Sequence, residues 1–488
     1  MSRQEATPAS RLSQGRVIIE SLGVYLPAGS VSTAELVRGC RSRVLLPLER
    51  LTGIRSRHVA APDEFCIDIA AAAVRDCLAG SRHKADEIDL LISCSIDHCE
   101  GPQHRHSLEP NTSLQLRERL ALANATAFDV SNGCAGMFTG IKVAEAFLKA
   151  GTSCCALVVS GEFISHLATT AQREISTLDD QRLACLTLGD AGAAVILEMS
   201  EDGEAGFESI DMHTVSKYSS YCIAKPSREP EGGVIMLTDA IRLSTTTVEH
   251  AIPHAAAALR RLDWRVDDLQ HVIVHQTSRM SIQQAAQRIS AFLGQRLPQS
   301  VNIADILEDH GNTATTSHFV ALYDLMEKSR LHSGDRVLFS TTGSGLTIGT
   351  ALYTFDDMPE RGRARRTSVN GSASSRPRSA SESSNGNHKG AGLAGVRIET
   401  VATASANAST DWGTALARRA AEDCMANSSH GSGEIALLVH CGVYRPEYMF
   451  EPAMAAMLAD ELHLNEEPLT EDSPRTLAFD VYNSSIGF

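Results

Sequence analysis

The chain has 488 residues, of which 43% are hydrophobic and 21% are charged, as in an ordinary globular protein. It contains 44 Lys plus Arg residues against 59 Asp plus Glu residues, and the resulting net charge of −15 argues against a general nucleic-acid binder. No apolar run approaches the roughly 20 residues of a membrane helix, so we expect no membrane span. The 12 cysteines form no CxxC pair and are too sparse for a disulfide framework, which indicates a reducing, cytoplasmic setting.

The first part of the chain alternates between short apolar runs and amphipathic stretches of helical length. Residues 1–15 are polar and lack the apolar core of a secretory signal, so we interpret them as a disordered tail. The predicted strands are 16–23, 89–92, 127–130, 156–160 and 193–197, and the predicted helices are 66–78 and 137–149. This alternation is typical of an α/β protein with covered sheets.

The same pattern restarts after Gly206. The predicted helices are 245–262, 281–293 and 317–329, and the predicted strands are 271–274, 336–340 and 349–355, the last two forming a hairpin around a glycine-rich turn. We therefore predict two similar halves, 16–200 and 201–357, that share one duplicated core.

A change of composition separates this core from a repeat. Residues 358–393 are rich in Ser, Arg and Gly and poor in apolar residues, which predicts a flexible linker. Within 394–488, EIALLVHC at 434–441 resembles EIDLLISC at 87–94, Glu451-Pro452 resembles Glu109-Pro110, and 479–488 resembles 128–137. We expect a truncated second unit with exposed sheet edges, either poorly ordered or docked on another chain.

Cys134 is a candidate nucleophile because it follows a predicted strand and Gly133 and opens a predicted helix. The positive end of the helix dipole would lower the pKa of the thiol and favour the reactive thiolate. A buried structural cysteine is the alternative interpretation.

Three further segments carry residues with possible chemistry. His275 ends an apolar strand, where α/β sheets bind ligands, although a hydrogen-bonded core histidine would have the same pattern. Asn312 lies in an HGNT turn and could instead cap a helix. The turn Gly343-Ser344-Gly345 is either a plain hairpin turn or a source of backbone N–H groups for an oxyanion.

The stretch 97–113 contains three histidines whose spacing fits no common metal-ligand geometry. We interpret it as a polar loop and predict no metal site. The three residues are His98, His104 and His106.

Taken in chain order, the segments of Cys134, His275 and Asn312 and the glycine turn at 343–345 resemble the beta-ketoacyl-acyl carrier protein synthase III family of the thiolase superfamily. The resemblance extends over nearly all of 16–355. Further matches are LTGI at 51–54, LGDAGAA at 188–194, VHQ at 274–276 and GTAL at 349–352. The resemblance implies an α/β fold, namely a thiolase-like duplicated αβαβα layered fold, here followed by an incomplete repeat of its N-terminal half.

The resemblance also implies a ping-pong carbon–carbon bond formation without a cofactor. Cys134 would take an acyl group from a thioester, and the backbone N–H groups of Cys134 and Ser344 would stabilise the oxyanion. His275 and Asn312 would hydrogen-bond a malonyl thioester and stabilise the enolate formed as carbon dioxide leaves. The enolate then attacks the acyl group, giving a beta-ketoacyl product in fatty-acid initiation or secondary metabolism, and the enzyme would be a homodimer.

Several departures from the family qualify this expectation. The family often has an Arg and a Trp that hold the coenzyme A adenine, but 46–51 contains no Trp, so an acyl carrier protein could carry the acyl group instead of coenzyme A. No second cysteine occurs in 341–346, which disfavours thiolytic chemistry. Ser485 stands at the nucleophile position of the repeat, so we predict an inactive second unit.

Two alternatives stay open. The chain could be an acyltransferase that moves the acyl group from Cys134 to an alcohol or an amine. The C-terminal unit could also serve only as a non-catalytic partner that shapes the pocket of a neighbouring unit.

Overall fold

The computed structural model describes residues 15–42, 47–100, 105–106, 109–201, 203–293, 297–369, 397–405, 413–442, 451–465 and 475–483. The strands, numbered in chain order, are β1 Val17–Tyr25, β2 Gly29–Ser32, β3 Ser56–Val59, β4 Leu90–Ser93, β5 Cys99–Glu100, β6 Arg105–His106, β7 Thr126–Ser131, β8 Ala156–Glu162, β9 Ala191–Met199, β10 Gly206–Thr214, β11 Cys222–Pro226, β12 Val234–Thr238, β13 His271–Val274, β14 Asn302–Ile303, β15 Arg336–Gly343, β16 Thr347–Thr354, β17 Leu437–His440 and β18 Leu477–Tyr482. The α-helices are α1 Thr33–Arg38, α2 Leu48–Thr52, α3 Cys66–Gly80, α4 Thr112–Arg119, α5 Gly136–Lys149, α6 His166–Glu174, α7 Ala240–Arg261, α8 Arg279–Leu293, α9 Leu307–His310, α10 Ser317–Glu327, α11 Met358–Val369, α12 Gly413–Ala426 and α13 Met454–Glu461.

Two sheets of the same topology form the centre of the molecule. The first contains the order β1-β9-β8-β4-β7, and the second has the order β10-β16-β15-β13-β14. In each, the first two neighbouring pairs are antiparallel and the last two are parallel. The predicted duplicated α/β fold is therefore confirmed.

Helices cover both faces of each sheet, which produces five layers. α5 and α10 lie between the sheets, α3 and α4 pack on the outer face of the first sheet, and α7 packs on the outer face of the second. The sequence of α5 explains its place, because its buried residues recur at helical spacing on the face that meets the core. They include Met137, Phe138, Ile141, Ala144 and Leu148.

The linker predicted to begin at residue 358 starts as a helix, so that prediction is wrong for 358–369. α11 joins the main core through Met358 and is held further along by its arginines. The Arg363 guanidinium donates to the Leu331 carbonyl at 2.8 Å, and the Arg365 guanidinium donates to the Gly80 carbonyl at 3.1 Å. The low apolar content that suggested disorder is compensated by hydrogen bonds to the carbonyl ends of other elements. Residues 370–393 of the predicted linker and residues 1–14 of the predicted tail lie outside the described residues.

The C-terminal unit extends the first sheet. β18 pairs antiparallel with β7, and β17 pairs parallel with β18, as β4 does with β7. The register joins Asp480 to Ser131, Val481 to Val130 and Tyr482 to Asp129. Because Asp480 and Val481 are the repeats of Asp129 and Val130, this pairing has the local two-fold symmetry of an isologous dimer, formed within one chain.

Apolar and polar contacts attach this unit to the first one. Leu477 and Phe479 belong to the main hydrophobic core, together with residues of both sheets. The Thr214 N–H donates to the Thr476 carbonyl at 3.0 Å, and the Ser216 hydroxyl donates to the Leu464 carbonyl at 2.8 Å. The described part of the repeat therefore docks on its own chain, contrary to the expectation that it docks on another chain.

Among the described helices, none combines the length and the hydrophobicity that crossing a bilayer would require.

Candidate active site

Cys134 lies between β7 and α5, two residues before the helix begins at Gly136. The Met137 N–H in the first turn of α5 donates to the Thr315 hydroxyl at 2.8 Å. This bond brings the segment that follows Asn312 to the helix end beside Cys134.

His275 follows β13 directly and is linked to the same neighbourhood. Its N–H donates to the Ser340 carbonyl of β15 at 3.2 Å, and its Nδ1 lies 2.8 Å from the hydroxyl of Ser317 at the start of α10. The residue is 9% exposed. His275 is therefore fixed against the strand that leads to the glycine turn and against the helix that follows Asn312.

The glycine turn packs against the residues around Cys134. A Cβ atom on Gly343 would lie 2.8 Å from the Ala135 nitrogen and 2.9 Å from the Asn132 carbonyl oxygen, so only glycine permits this approach. Gly133 has φ of +49°, and a Cβ atom there would overlap the Ser344 hydroxyl. Gly345 has φ of +132° and completes the turn. The structure thus brings together the four segments that carry the predicted site residues.

The pKa of the Cys134 thiol is raised well above its ordinary value, first by burial and then by the charge of Glu451. The net shift is therefore opposite in direction to the contribution predicted for the helix dipole. Burial of the thiol is the largest cause of the raised pKa, and the charges of Glu451 and Glu162 add to it. In this structure Cys134 is a protonated thiol.

Burial has the opposite effect on the pKa of His275, lowering it from 6.5 to about 3, and the neighbouring His318 adds to the shift. The two imidazole rings are stacked, with centroids 5.8 Å apart. His275 is therefore neutral at physiological pH. A Ser317 hydroxyl that donates to Nδ1 leaves the imidazole proton on Nε2.

Asn312 is held at both ends by backbone hydrogen bonds. Its N–H donates to the Thr187 carbonyl at 2.9 Å, its carbonyl accepts from Gly189 at 3.0 Å, and its side-chain oxygen accepts from the Ala314 N–H at 3.0 Å. This last bond leaves the side-chain NH₂ group as a donor. The predicted alternative of an N-cap is partly right, because the amide oxygen does accept from the backbone two residues later.

Sequence reasoning missed three buried groups at this site. Glu162 is fully buried, and burial raises the pKa of its carboxyl well above the usual value. Cys222 and Glu451 are 6% and 3% exposed, and the Cys222 thiol lies 3.8 Å from a Glu451 carboxylate oxygen. The repeated Glu-Pro pair was the signal that could have identified Glu451. Ser485 lies outside the described residues.

A second polar cluster lies in the interior, and its ligand-type atoms are within 4.8 Å of one another. Its members are Asp97, Cys99 and His166. Asp97 accepts from the Cys99 N–H at 2.8 Å and lies 3.3 Å from His166 Nε2, so its carboxylate is already hydrogen-bonded within the protein. His98 lies 2.8 Å from the Thr112 hydroxyl, while His104 and the side chain of His106 lie outside the described residues.

A cavity of about 990 Å³ opens between α1, α2 and α8. Four arginines line it, namely Arg38, Arg50, Arg55 and Arg279. Arg55 forms an ion pair with Asp309 at 2.6 Å, and Arg279 with Asp305 at 2.8 Å. Leu48 lines the cavity and also belongs to the apolar cluster against which Cys134 packs. The cavity is therefore adjacent to the apolar surroundings of Cys134.

Comparisons with known proteins agree with this arrangement. Sequence profiles described as 3-oxoacyl-[acyl-carrier-protein (ACP)] synthase III and as its C terminal match residues 128–216 and 259–355. The Beta-ketoacyl-[acyl-carrier-protein] synthase III of Rhodospirillum centenum is 29% identical over 345 residues, 69% of this chain and 98% of the relative. The corresponding protein of Acidiphilium cryptum is 28% identical over 348 residues, 70% of this chain and 99% of the relative.

Solved structures show the same fold. A variant of Xanthomonas campestris OleA is 25% identical with a TM-score of 0.59, and the match covers 70% of this chain and 98% of that one. Over residues 128–216 and 259–355 the chain is similar to the 3-oxoacyl-[acyl-carrier-protein (ACP)] synthase III family, and its relatives match along nearly their whole length.

Proposed function

We propose that the chain catalyses a decarboxylative Claisen condensation of an acyl thioester with a malonyl thioester through an acyl-Cys134 intermediate. The observation that carries this proposal is the convergence of the segments of Cys134, His275, Asn312 and Ser344 on one neighbourhood. The chemistry needs no cofactor, because a thioester activates the acyl group and the loss of carbon dioxide supplies the carbanion.

In the first half-reaction, Cys134 takes the acyl group from its carrier. The backbone N–H groups of Cys134 and Ser344 are the proposed oxyanion donors, a role supported by the close packing of Gly343 on the Cys134 segment. The cluster around Cys134 contains Ile164, Leu167 and Ala168, an apolar environment suited to an acyl chain.

In the second half-reaction, the enolate of the malonyl thioester needs neutral hydrogen-bond donors. His275 suits this role because its low pKa keeps the imidazole uncharged, and Asn312 offers its side-chain NH₂ group. The enolate carbon then attacks the acyl carbonyl, and the Cys134 sulfur leaves. The product is a beta-ketoacyl thioester of fatty-acid initiation or of secondary metabolism.

The carrier of the acyl group is proposed on the chemistry of the cavity. Its four arginines offer guanidinium groups to a phosphate, which both coenzyme A and the phosphopantetheine arm of a carrier protein contain. Since 46–51 provides no Trp for an adenine ring, we favour an acyl carrier protein.

Intact-mass spectrometry after exposure to a panel of acyl thioesters tests the nucleophile. We expect one acyl adduct on the wild type and on the Cys154→Ala control, which removes an exposed thiol, and none on Cys134→Ala. An undiminished adduct on Cys134→Ala would eliminate the proposed function.

Acyl transfer to an alcohol or an amine is the second candidate. It uses the same acyl-Cys134 but requires a base rather than two neutral donors, and a carboxyl group near Cys134 favours it. Release of carbon dioxide from a malonyl thioester distinguishes the two reactions, since turnover without release would support acyl transfer.

The C-terminal unit has a proposed partner role. The resemblance predicts a homodimer. The two-fold register between β18 and β7 supports the proposal that the C-terminal unit takes the place of a second subunit within the same chain. The division of the core at residue 200 stays a proposal, supported by the equal topology of the two sheets. A cytoplasmic setting also stays a proposal, supported by cysteines that are all free thiols.

A further inference from the structure

Glu451 belongs to the C-terminal unit and lies at the proposed active site, where two backbone hydrogen bonds to the first unit hold it. The Ala224 N–H donates to the Glu451 carbonyl at 3.1 Å, and the Glu451 N–H donates to the Ala224 carbonyl at 3.3 Å. Ala224 belongs to β11, a strand of the first unit. The residue is 3% exposed, so a flexible acidic side chain is held in a single buried place.

The carboxyl group of Glu451 lies beside the residue that precedes the nucleophile. A Cβ atom on Gly133 would stand 3.0 Å from Glu451 Oε1, and the Cys222 thiol lies 3.8 Å from Glu451 Oε2. Glu451 is also the charge with the largest effect on the pKa of Cys134. Position and charge both indicate that the carboxyl group belongs to the surroundings of the Cys134 sulfur.

The repeat offers an internal comparison. Asp480 accepts from the N–H groups of Met454 and Ala455, each at 2.8 Å. The equivalent Asp129 accepts from the N–H groups of Thr112 at 3.0 Å and Ser113 at 2.8 Å. The two Glu-Pro loops are therefore held in the same way, yet Glu109 is exposed whereas Glu451 is buried. The burial of Glu451 comes from its place against the first unit, not from its own loop.

The other titratable groups near Cys134 are poor proton acceptors. His275 has a pKa of about 3 and is a weak base for a thiol. The Oε1 atom of Glu162 already accepts from the Ser160 hydroxyl at 2.7 Å and from the Ile96 N–H at 3.2 Å, and burial raises the pKa of this carboxyl. Cys222 is itself a buried thiol with a raised pKa. The thiol of Cys134 nevertheless has to lose its proton before it can attack.

We propose that Glu451 completes the active site across the internal two-fold and accepts the proton of Cys134 when the acyl group is loaded. The S–H proton moves to the carboxylate as sulfur attacks the thioester carbon. The bond between that carbon and the carrier sulfur then breaks, and the carrier thiolate leaves with the proton from Glu451. The inference rests on the proposed function, because it takes Cys134 as the nucleophile.

Rapid-quench intact-mass measurement of Cys134 acylation by a hexanoyl-acyl carrier protein tests the proposal. General-base catalysis contributes about 100-fold or more, so we expect Glu451→Gln to slow acylation by that factor and Glu451→Asp to retain part of the rate. Glu109→Gln is the matched control in the equivalent loop and should acylate at the wild-type rate.

Alkylation of Cys134 by iodoacetamide, followed against pH by peptide mass mapping, separates this role from a structural one. Removing the Glu451 charge should shift the alkylation profile to lower pH, so alkylation at pH 7 becomes faster while acylation becomes slower. Unchanged acylation of Glu451→Gln, or loss of the transfer step alone, would overturn the proposal. A fall in both rates would indicate a merely structural role and would overturn it as well. A wild type that forms no adduct with any acyl thioester would instead refute the proposed function.

Discussion

Burial shifts the pKa values of both proposed catalytic side chains in opposite directions, and each shift favours the uncharged form. The raised pKa of Cys134 keeps the thiol protonated, and the lowered pKa of His275 keeps the imidazole neutral. The resting site therefore avoids a buried ion pair, which is costly when it is removed from water. An uncharged His275 also fits a donor to an enolate oxygen better than a proton acceptor.

The pKa of His275 makes a prediction for stability. Because the pKa is about 3 in the folded chain and 6.5 when unfolded, the unfolded state binds the extra proton as the pH falls below 6.5. Stability is therefore lost on acidification through this window, by about 2 kcal/mol between pH 6.5 and pH 5 from this residue. Urea unfolding of His275→Gln should show a smaller loss of free energy over the same interval.

His332→Gln is the matched control for this measurement, since the side chain of His332 is 58% exposed. Its urea midpoints should follow those of the wild type at both pH values. Equal acid sensitivity of His275→Gln and the wild type would contradict the shifted pKa.

At the scale of elements, one carboxylate positions each Glu-Pro loop. Asp480 lies on β18 and receives two N–H groups from the start of α13, while Asp129 lies on β7 and receives two from the start of α4. A carboxylate offers an acceptor oxygen to each N–H, whereas an Asn side chain has only one acceptor oxygen. Because Asp480 of β18 holds the N–H groups of Met454 and Ala455, it also fixes the loop that carries Glu451.

Asp480→Asn and Asp129→Asn form a matched pair of variants. Each should lower the free energy of unfolding by about 1–3 kcal/mol, because one buried N–H loses its acceptor. Only Asp480→Asn should also slow the acylation of Cys134, by about 10-fold or more, because only that loop carries Glu451 into the site. Chemical denaturation and rapid-quench mass spectrometry would measure the two effects, and equal acylation rates would refute the link.

The elements of the core were predictable because their signals are local. β13 was predicted with its observed bounds, and α5 within one residue, since apolar periodicity and glycine punctuation determine both. α11 was missed because, beyond Met358, arginine-to-carbonyl hydrogen bonds attach it and apolar periodicity does not. The place of Glu451 and the pKa of Cys134 depend on contacts between segments far apart in sequence, which periodicity does not report.

At the scale of the whole molecule, the chain has the architecture of a dimer with a single proposed site. The edge of β7 is occupied by β18, so two first units cannot pair through that strand. β17 is then the outer strand of this sheet within the described residues, with Leu437 54% exposed and Val439 36% exposed. The internal repeat thus occupies the β7 edge, where a second subunit would pair. The outer edge of the sheet becomes β17, a strand shorter than β7.

The solution mass tests this architecture. We expect the full chain to sediment as a 52.3 kDa monomer, because the two-fold surface is already filled from within. A chain ending at residue 369 should expose the β7 edge and the core surface that Leu477 and Phe479 cover, so it should associate in a concentration-dependent manner. It should also acylate Cys134 slowly, since Glu451 is missing. Circular dichroism would establish that the shortened chain is folded. A dimeric full chain together with a monomeric, fully acylated shortened chain would refute the internal pairing as a functional substitute for a second subunit.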